Sequence, residues 1–429
     1  MWQMALSCLC FNHYTNHTTT MKSINYWQIL EGIEVNVLFF EYLCNQYIRK
    51  LHAINMAQEN PQYTLFEWLR FPLIVGVVFI HCVGGPIDVE SINFSHLSGT
   101  DWYDLIRIAF SNVLPRVCVP LFFFISGYLF YTRLSQWDWQ VYAEKLKKRA
   151  KTILVPYLLW ITIAIAYQCS ILMVKEGWPA VSSFFAEHGY WHLYWDCYEL
   201  DPVKLSWTGM EVHSSTPFHY ALWFLRDLMI MMLFTPCFHI LFKRLKIWGL
   251  LLLAVNYVSN IGAFLPELLP TPLLFYGAGV YFQMKNWDLT QCFKRCEWLI
   301  HCISFLLFAI CLRYNSFYTE TGNLFFPFFV MAGSMSVICI ATRCIRHNIL
   351  NSTFIPLSKY SFFIYLSHCV MILPVVLAFI AKIVKPSNPY AMIACYFMAP
   401  ILTISICLLL AIGIKRTMPR LYNILTGGR

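Results

Sequence analysis

The sequence predicts an all-α, polytopic membrane helix bundle of about ten transmembrane helices with both termini cytoplasmic. Three observations lead there. Of 429 residues, 59% are hydrophobic and 12% charged, where ordinary soluble domains carry about 25% charge. The mean hydropathy is +0.56. Ten apolar windows approach the roughly 20 residues a membrane helix needs, and the cations cluster in alternate connections between them.

The windows run over about 66–84, 105–131, 152–174, 221–242, 247–265, 270–284, 298–313, 324–342, 360–384 and 391–413. The sixth and seventh are short, as tilted or partly buried helices would be. Lys145, Lys147, Lys148, Arg149 and Lys151 precede the third window. "KRLK" follows the fourth, a Lys285–Arg295 segment the sixth, "TRCIRH" the eighth and Lys415, Arg416 and Arg420 the tenth. The intervening connections carry Asp88, Glu90 and Asp101, or Glu176, Glu187, Asp196, Glu199, Asp201 and Glu211. By the positive-inside rule the basic connections are cytoplasmic. The net charge of +9 is therefore a topology signal, and nucleic acid is not an expected partner; membrane lipids are. The Trp- and Tyr-rich outer segment of about 175–220 reads equally as an interfacial belt or as a lid that meets substrate.

Residues 1–60 stand outside this pattern. They are polar and dotted with cysteine, without a signal peptide's basic n-region and apolar h-region. They read as a poorly defined extension, and Met56 is a candidate start. The membrane domain is expected over 61–415, with a short basic tail at 416–429. Seventeen cysteines sit mostly inside apolar runs. No CxxC pair occurs, and Cys292 and Cys296 flank a basic loop without nearby histidine, so the thiols read as buried and free and no metal site is expected.

The stretch "FEWLRFPLIVGVVFIHC" places Arg70 and His81 in one apolar window. Eleven helical steps return to within about 20° of the same direction and climb about 16 Å, so both lie on one helix face. Ionisable groups at membrane depth usually face a bundle interior or aqueous cavity. Arg116 opens the second window's "PRVCVPLFFFISGYLFYTR", whose Ser126-Gly127 allows close helix approach. "KLKKRAKTILVPYLLW" gathers cations before Pro156. In "LWFLRDL", Arg226 and Asp227 point about 100° apart and need not pair. His368 ends "PLSKYSFFIYLSH" midway along the ninth window.

These motifs together resemble the acyltransferase 3 family of ten-helix membrane acyltransferases that O-acylate bacterial glycans. The resemblance rests on "RFPLIVGVVFIH", "VPLFFFISGYLF", "KKRAKTILVPYLLW", "LWFLRDL" and "LSKYSFFIYLSH", in that order, and covers about residues 62–415. Where family members commonly carry an arginine pair before the third span, this chain has Lys147, Lys148, Arg149 and Lys151; lysine keeps the charge but gives up bidentate phosphate capture.

The resemblance implies an integral protein of a bacterial inner membrane. It implies transfer of an acyl group, most often acetyl, from cytoplasmic acyl-CoA as co-substrate to a hydroxyl of a glycan or lipid-linked sugar. No bound cofactor is implied, and the oligomeric state is left open. His81 is the expected catalytic base, since a neutral imidazole is available near pH 7. Arg116 is expected to face the developing oxyanion. Arg70, Lys148, Arg149 and Lys151 would meet the coenzyme A phosphates. Ser126, Trp223, Arg226 and His368 would meet the acceptor. A relay through Cys82, next to His81, is a further route. The competing classes are a glycan transporter or flippase, disfavoured by the lack of an internal repeat, and an assembly partner in which the buried charges are only structural.

Overall fold

The computed structural model describes residues 61–83, 87, 92, 94–132, 134, 137–204, 211–259, 270–314, 320–386 and 388–428. The N-terminal extension, with its candidate start at Met56, lies outside them. The first described element is α1 (Pro61–Ile80). Next come α2 (Gly99–Arg107) and α3 (Cys118–Tyr131), joined by irregular turns into one span, Gly99–Tyr131. Likewise α4 (Trp139–Arg149) and α5 (Val155–Glu176) make one span. The outer segment holds α6 (Trp178–His188), the single turn α7 (His192–Trp195), and a hairpin of β1 (Tyr198–Lys204) and β2 (Glu211–Thr216). The strands are antiparallel, pairing Tyr198 with Thr216 and Lys204 with Glu211, with a bulge between Leu200 and Val203. That hairpin is the one departure, among the described residues, from an all-α chain.

The second half comprises α8 (Trp223–Leu233), α9 (Thr235–Leu245), α10 (Ile247–Ser259), α11 (Pro270–Met284), α12 (Leu289–Cys292), α13 (Glu297–Arg313) and α14 (Glu320–Arg346). Then follow α15 (Asn351–Ser358), α16 (Ser361–Ser367), α17 (Leu373–Phe379), α18 (Pro389–Thr417) and α19 (Pro419–Thr426). Among the described residues, seven helices are long and apolar enough to cross a membrane, and eight if the pair α8–α9, bent by 56° at Phe234, is one span. The expected ten is thus not reached by length alone. The windows not counted are those of α10 and α11, whose described parts, of 13 and 15 residues, border residues 260–269, which lie outside the described residues. The seventh window is the reverse: turns at Leu289–Cys292 and Lys294–Cys296 extend it to a 25-residue span.

Close packing at the centre depends on glycine. A methyl group on Gly279 would overlap the Phe124 carbonyl and lie 2.7 Å from the Tyr128 nitrogen, and one on Gly127 would overlap the Tyr276 carbonyl. The small residue beside Ser126 therefore lets α3 and α11 meet backbone to backbone, as small residues do between membrane helices. The segment read as a basic tail is structured. α18 runs on to Thr417, and α19 buries Tyr422, Leu425 and Thr426. Trp160 on α5 donates to the Leu425 carbonyl at 3.1 Å.

Irregular turns recur at one kind of place. Among the described residues, π-turns span Ile108–Val113, Ala150–Leu154, His368–Ile372 and Ile380–Val384. Each is followed two residues later by a proline: Pro115, Pro156, Pro374 and Pro386. In each, the residue just before the proline sends its N–H back five residues: Leu114 to Ala109, Val155 to Ala150, Leu373 to His368 and Lys385 to Ile380. Proline has no N–H and its ring crowds the preceding turn, so the ladder widens by one residue there.

Candidate active site

Three of the first four spans and the ninth meet at the C-terminal end of α1. That helix stops at Ile80, and carbonyls at its end and just beyond it are taken up by the second span. The Ser111 hydroxyl donates to the Phe79 carbonyl at 2.6 Å, and Arg107 Nε donates to the Val83 carbonyl at 2.8 Å. His81 is thereby held just beyond the helix, with its backbone N–H on the Val78 carbonyl at 3.1 Å. Its side chain is half-buried and lines a cavity of about 240 Å³. Arg116 lines the same cavity from the 3₁₀ turn Leu114–Val117, which follows the first π-turn. Trp223, Phe224 and Tyr365 close it from α8 and α16, and Val330 from α14.

His368 is fully buried and starts the third π-turn. Its ring centroid stands 5.4 Å from that of His81, with the planes at 46°. The Tyr220 ring lies 5.4 Å from His81 on another side, edge-on. The ligand-type atoms of His81, His368 and Cys369 lie within 4.8 Å of one another. His219, also buried, approaches the same helix, with Nε2 3.0 Å from the Leu366 carbonyl. Four residues expected separately, His81, Arg116, Trp223 and His368, are thus brought together.

The other expected residues lie elsewhere. Arg70 is half-buried on α1, with at least nine helical residues before it. Arg149, half-buried at the end of α4, feels the charge of Arg70 and the Tyr276 hydroxyl. Lys148 and Lys151 are exposed. Ser126 is half-buried on α3 and does not line the cavity. Arg226 is 1% exposed and fully engaged. It pairs with Asp227 at 3.0 Å, although the two neighbours point apart along the helix, and donates to the backbone carbonyls of Trp195 and Ser215 at 2.7 and 3.0 Å. It clamps the outer hairpin onto α8 and has no free face toward the cavity. Cys82 is buried in the core and does not line the cavity either, so the geometry lends a thiol relay no support. Outside the spans, burial and the charge of Asp196 push the Cys197 thiol up to about 11, so it offers little thiolate at neutral pH.

Sequence reasoning passed over Tyr220, His219, Tyr365 and Cys369. The signal was present for two: "FHY" stands directly before the "ALWFLRD" stretch that carries Trp223.

A cavity within a helix bundle at membrane depth, lined by both a histidine and an arginine, is a candidate substrate site. The model of the acyltransferase 3 family, described as an acyltransferase domain, matches residues 64–412, and the chain belongs to that family. It is similar to the succinoglycan biosynthesis protein ExoH of Rhizobium meliloti (strain 1021), at 26% identity over 373 residues, covering 84% of this chain and 91% of that one. No solved structure matches the chain.

Proposed function

We propose that this protein transfers an acetyl group from cytoplasmic acetyl-CoA to a sugar hydroxyl of a cell-surface or secreted polysaccharide, across a bacterial inner membrane with both termini inside. The observation that carries the reading is the shared cavity of His81 and Arg116. His81 takes the proton of the sugar hydroxyl as its oxygen attacks the thioester carbonyl. Arg116 faces the oxyanion that forms. Collapse breaks the carbon–sulfur bond, and His81 returns the proton to the coenzyme A thiolate.

The donor's phosphates fall to Arg70 and Arg149, with Lys148 and Lys151 at the mouth. Two half-buried guanidinium groups suit phosphate, which arginine grips in two places at once. From Arg70 to His81 is about 16 Å along α1, a span suited to the pantetheine arm. The named role of the rhizobial relative, succinoglycan biosynthesis, supports a polysaccharide acceptor. Acetyl is favoured because Arg116 is the cation among the described residues lining the cavity; a donor carrying its own carboxylate would compete for it.

The test is release of coenzyme A thiol by proteoliposomes given acetyl-CoA or succinyl-CoA with a polysaccharide acceptor. Wild type is expected to release thiol faster with acetyl-CoA, and His81→Ala to fall to background at equal protein. Transfer unaffected by His81→Ala would sink the base assignment, and faster turnover of succinyl-CoA would sink the acetyl preference.

A further inference from the structure

His368 Nδ1 lies 3.0 Å from the Ile364 carbonyl and 2.9 Å from the Tyr365 carbonyl. A carbonyl oxygen only accepts, so Nδ1 carries the proton. The other nitrogen, Nε2, is then a bare lone pair. It is buried and has no hydrogen-bond partner within the structure. Such groups are rare and call for an explanation. His219 shows the same stance. Its Nε2 is turned to the Leu366 carbonyl, and its Nδ1 is a buried lone pair without a partner. Two histidines are thus fixed by the same helix as acceptors, and the half-buried imidazole beside His368 is His81.

We propose that His368 is the positioning residue for His81: its Nε2 accepts the His81 N–H, holds the ring in one tautomer and leaves the second His81 nitrogen free for the acceptor hydroxyl. This rests on His81 as the base. The logic is that of a general base oriented by a third group. When His81 takes the sugar proton it becomes an imidazolium with two N–H donors; one remains on His368 Nε2 and the other is delivered to the departing thiolate. His368 itself neither gains nor loses a proton. The rings stand one short movement from bonding. The ring centroids stand 5.4 Å apart and a nitrogen of each ring lies within 4.8 Å of the other, so a side-chain movement of a few ångströms brings the pair to an N–H···N separation of about 3 Å. It sits past the last turn of α1, where a side chain has that freedom, and catalytic hydrogen bonds commonly tighten only when substrate binds. The π-turn serves this arrangement: its extra residue sets His368 facing α1 while Nδ1 stays on its own helix.

The experiment uses purified full-length protein in liposomes, comparing wild type with His368→Leu and His368→Gln. Leucine is expected to lower kcat by about 10- to 100-fold, as loss of an orienting partner does, with KM for acetyl-CoA unchanged. Glutamine, whose Oε1 is an acceptor, is expected to recover most of the loss. Full kcat in His368→Leu, or a folded His368→Gln as slow as His368→Leu, would overturn the proposal. A second readout does not need turnover. Solid-state NMR of ¹⁵N-histidine protein, with His81 assigned by its loss in His81→Gln, is expected to show one neutral tautomer in wild type and a mixture in His368→Leu. An unchanged His81 signal would overturn the pairing even if His81 proves not to be the base. Stoichiometric zinc in purified protein, lost on Cys369→Ala, would overturn it in favour of a three-ligand metal site.

Discussion

The arginine region and the histidine pocket lie along the same helix, α1, yet they are built on opposite principles. Around Arg70 and Arg149 the chain gathers positive charge, with Lys148 and Lys151 exposed beside it. Around His81 it gathers lone pairs, with the Nε2 of His368 and the Nδ1 of His219 left as buried acceptors. In the proposed reaction the first region would bind the donor's anionic groups and the second would handle the proton. Substitutions in the first should therefore act on substrate affinity, and in the second on turnover.

The largest effect is expected from Arg116→Ala. Removing a charge aimed at a developing oxyanion costs about 10²–10³ in kcat, with KM for the acyl donor little changed; Arg116→Lys should recover only part. A rise in KM with kcat intact would move Arg116 into the binding region and erase the contrast. Next is Arg149→Ala, expected to lower kcat/KM by about 10- to 100-fold through KM, at about 1.5–3 kcal/mol for a hydrogen bond to a charged group. The sharper measurement uses acetyl-pantetheine, which has no phosphates. Wild type and Arg149→Ala should then turn over alike. A difference that persists with that donor would show that Arg149 is structural.

Both regions share one scaffold, and Gly279→Ala tests it. The added methyl would overlap the Phe124 carbonyl. The backbones of α3 and α11 must separate, at about 1–3 kcal/mol for an overpacked core. The expected result is a lower melting temperature in detergent with kcat and KM both impaired, since Arg116 leads into α3 and α11 packs against it. A selective loss of either parameter would mean that the regions do not share this contact.

Much of this was legible in the sequence, and the parts that were not have physical causes. Apolar windows located most spans because burial in lipid demands length and hydropathy together. α10 and α11 are short only over the described residues, since both border residues 260–269, and ten of the 15 residues of α11 are buried within the bundle. The hairpin at 198–216 was not foreseen, since the aromatic run before it masked any alternation and its pairing depends on Arg226 reaching the Ser215 carbonyl. At the site, His81 and Arg116 stood out because charge is costly at membrane depth. His219 and Tyr220 did not, because they stand outside the apolar window and reach the site only through the fold. The pairing of Arg226 with Asp227 was likewise hidden, as helical angle alone places the two apart.

The smallest effect is the most discriminating. Four π-turns precede four prolines, but their contents differ. The turn at 368–372 begins with His368, whereas the turn at 380–384 holds none of the candidate site residues. Replacing either proline restores an N–H and lets the ladder relax toward the ordinary four-residue step. Relaxation before Pro374 would turn His368 away from His81 by a fraction of a helical step. Pro374→Ala should therefore lower kcat several-fold, roughly 1 kcal/mol in barrier at about 1.4 kcal/mol per tenfold, with KM for acetyl-CoA unchanged. Pro386→Ala should leave both parameters alone. Equal effects would make the π-turns a packing feature of proline in these helices. A loss confined to Pro374→Ala, and confined to kcat, would show that the widened turn is what presents His368 to the proton-handling pocket, and that the arginine region does not depend on it.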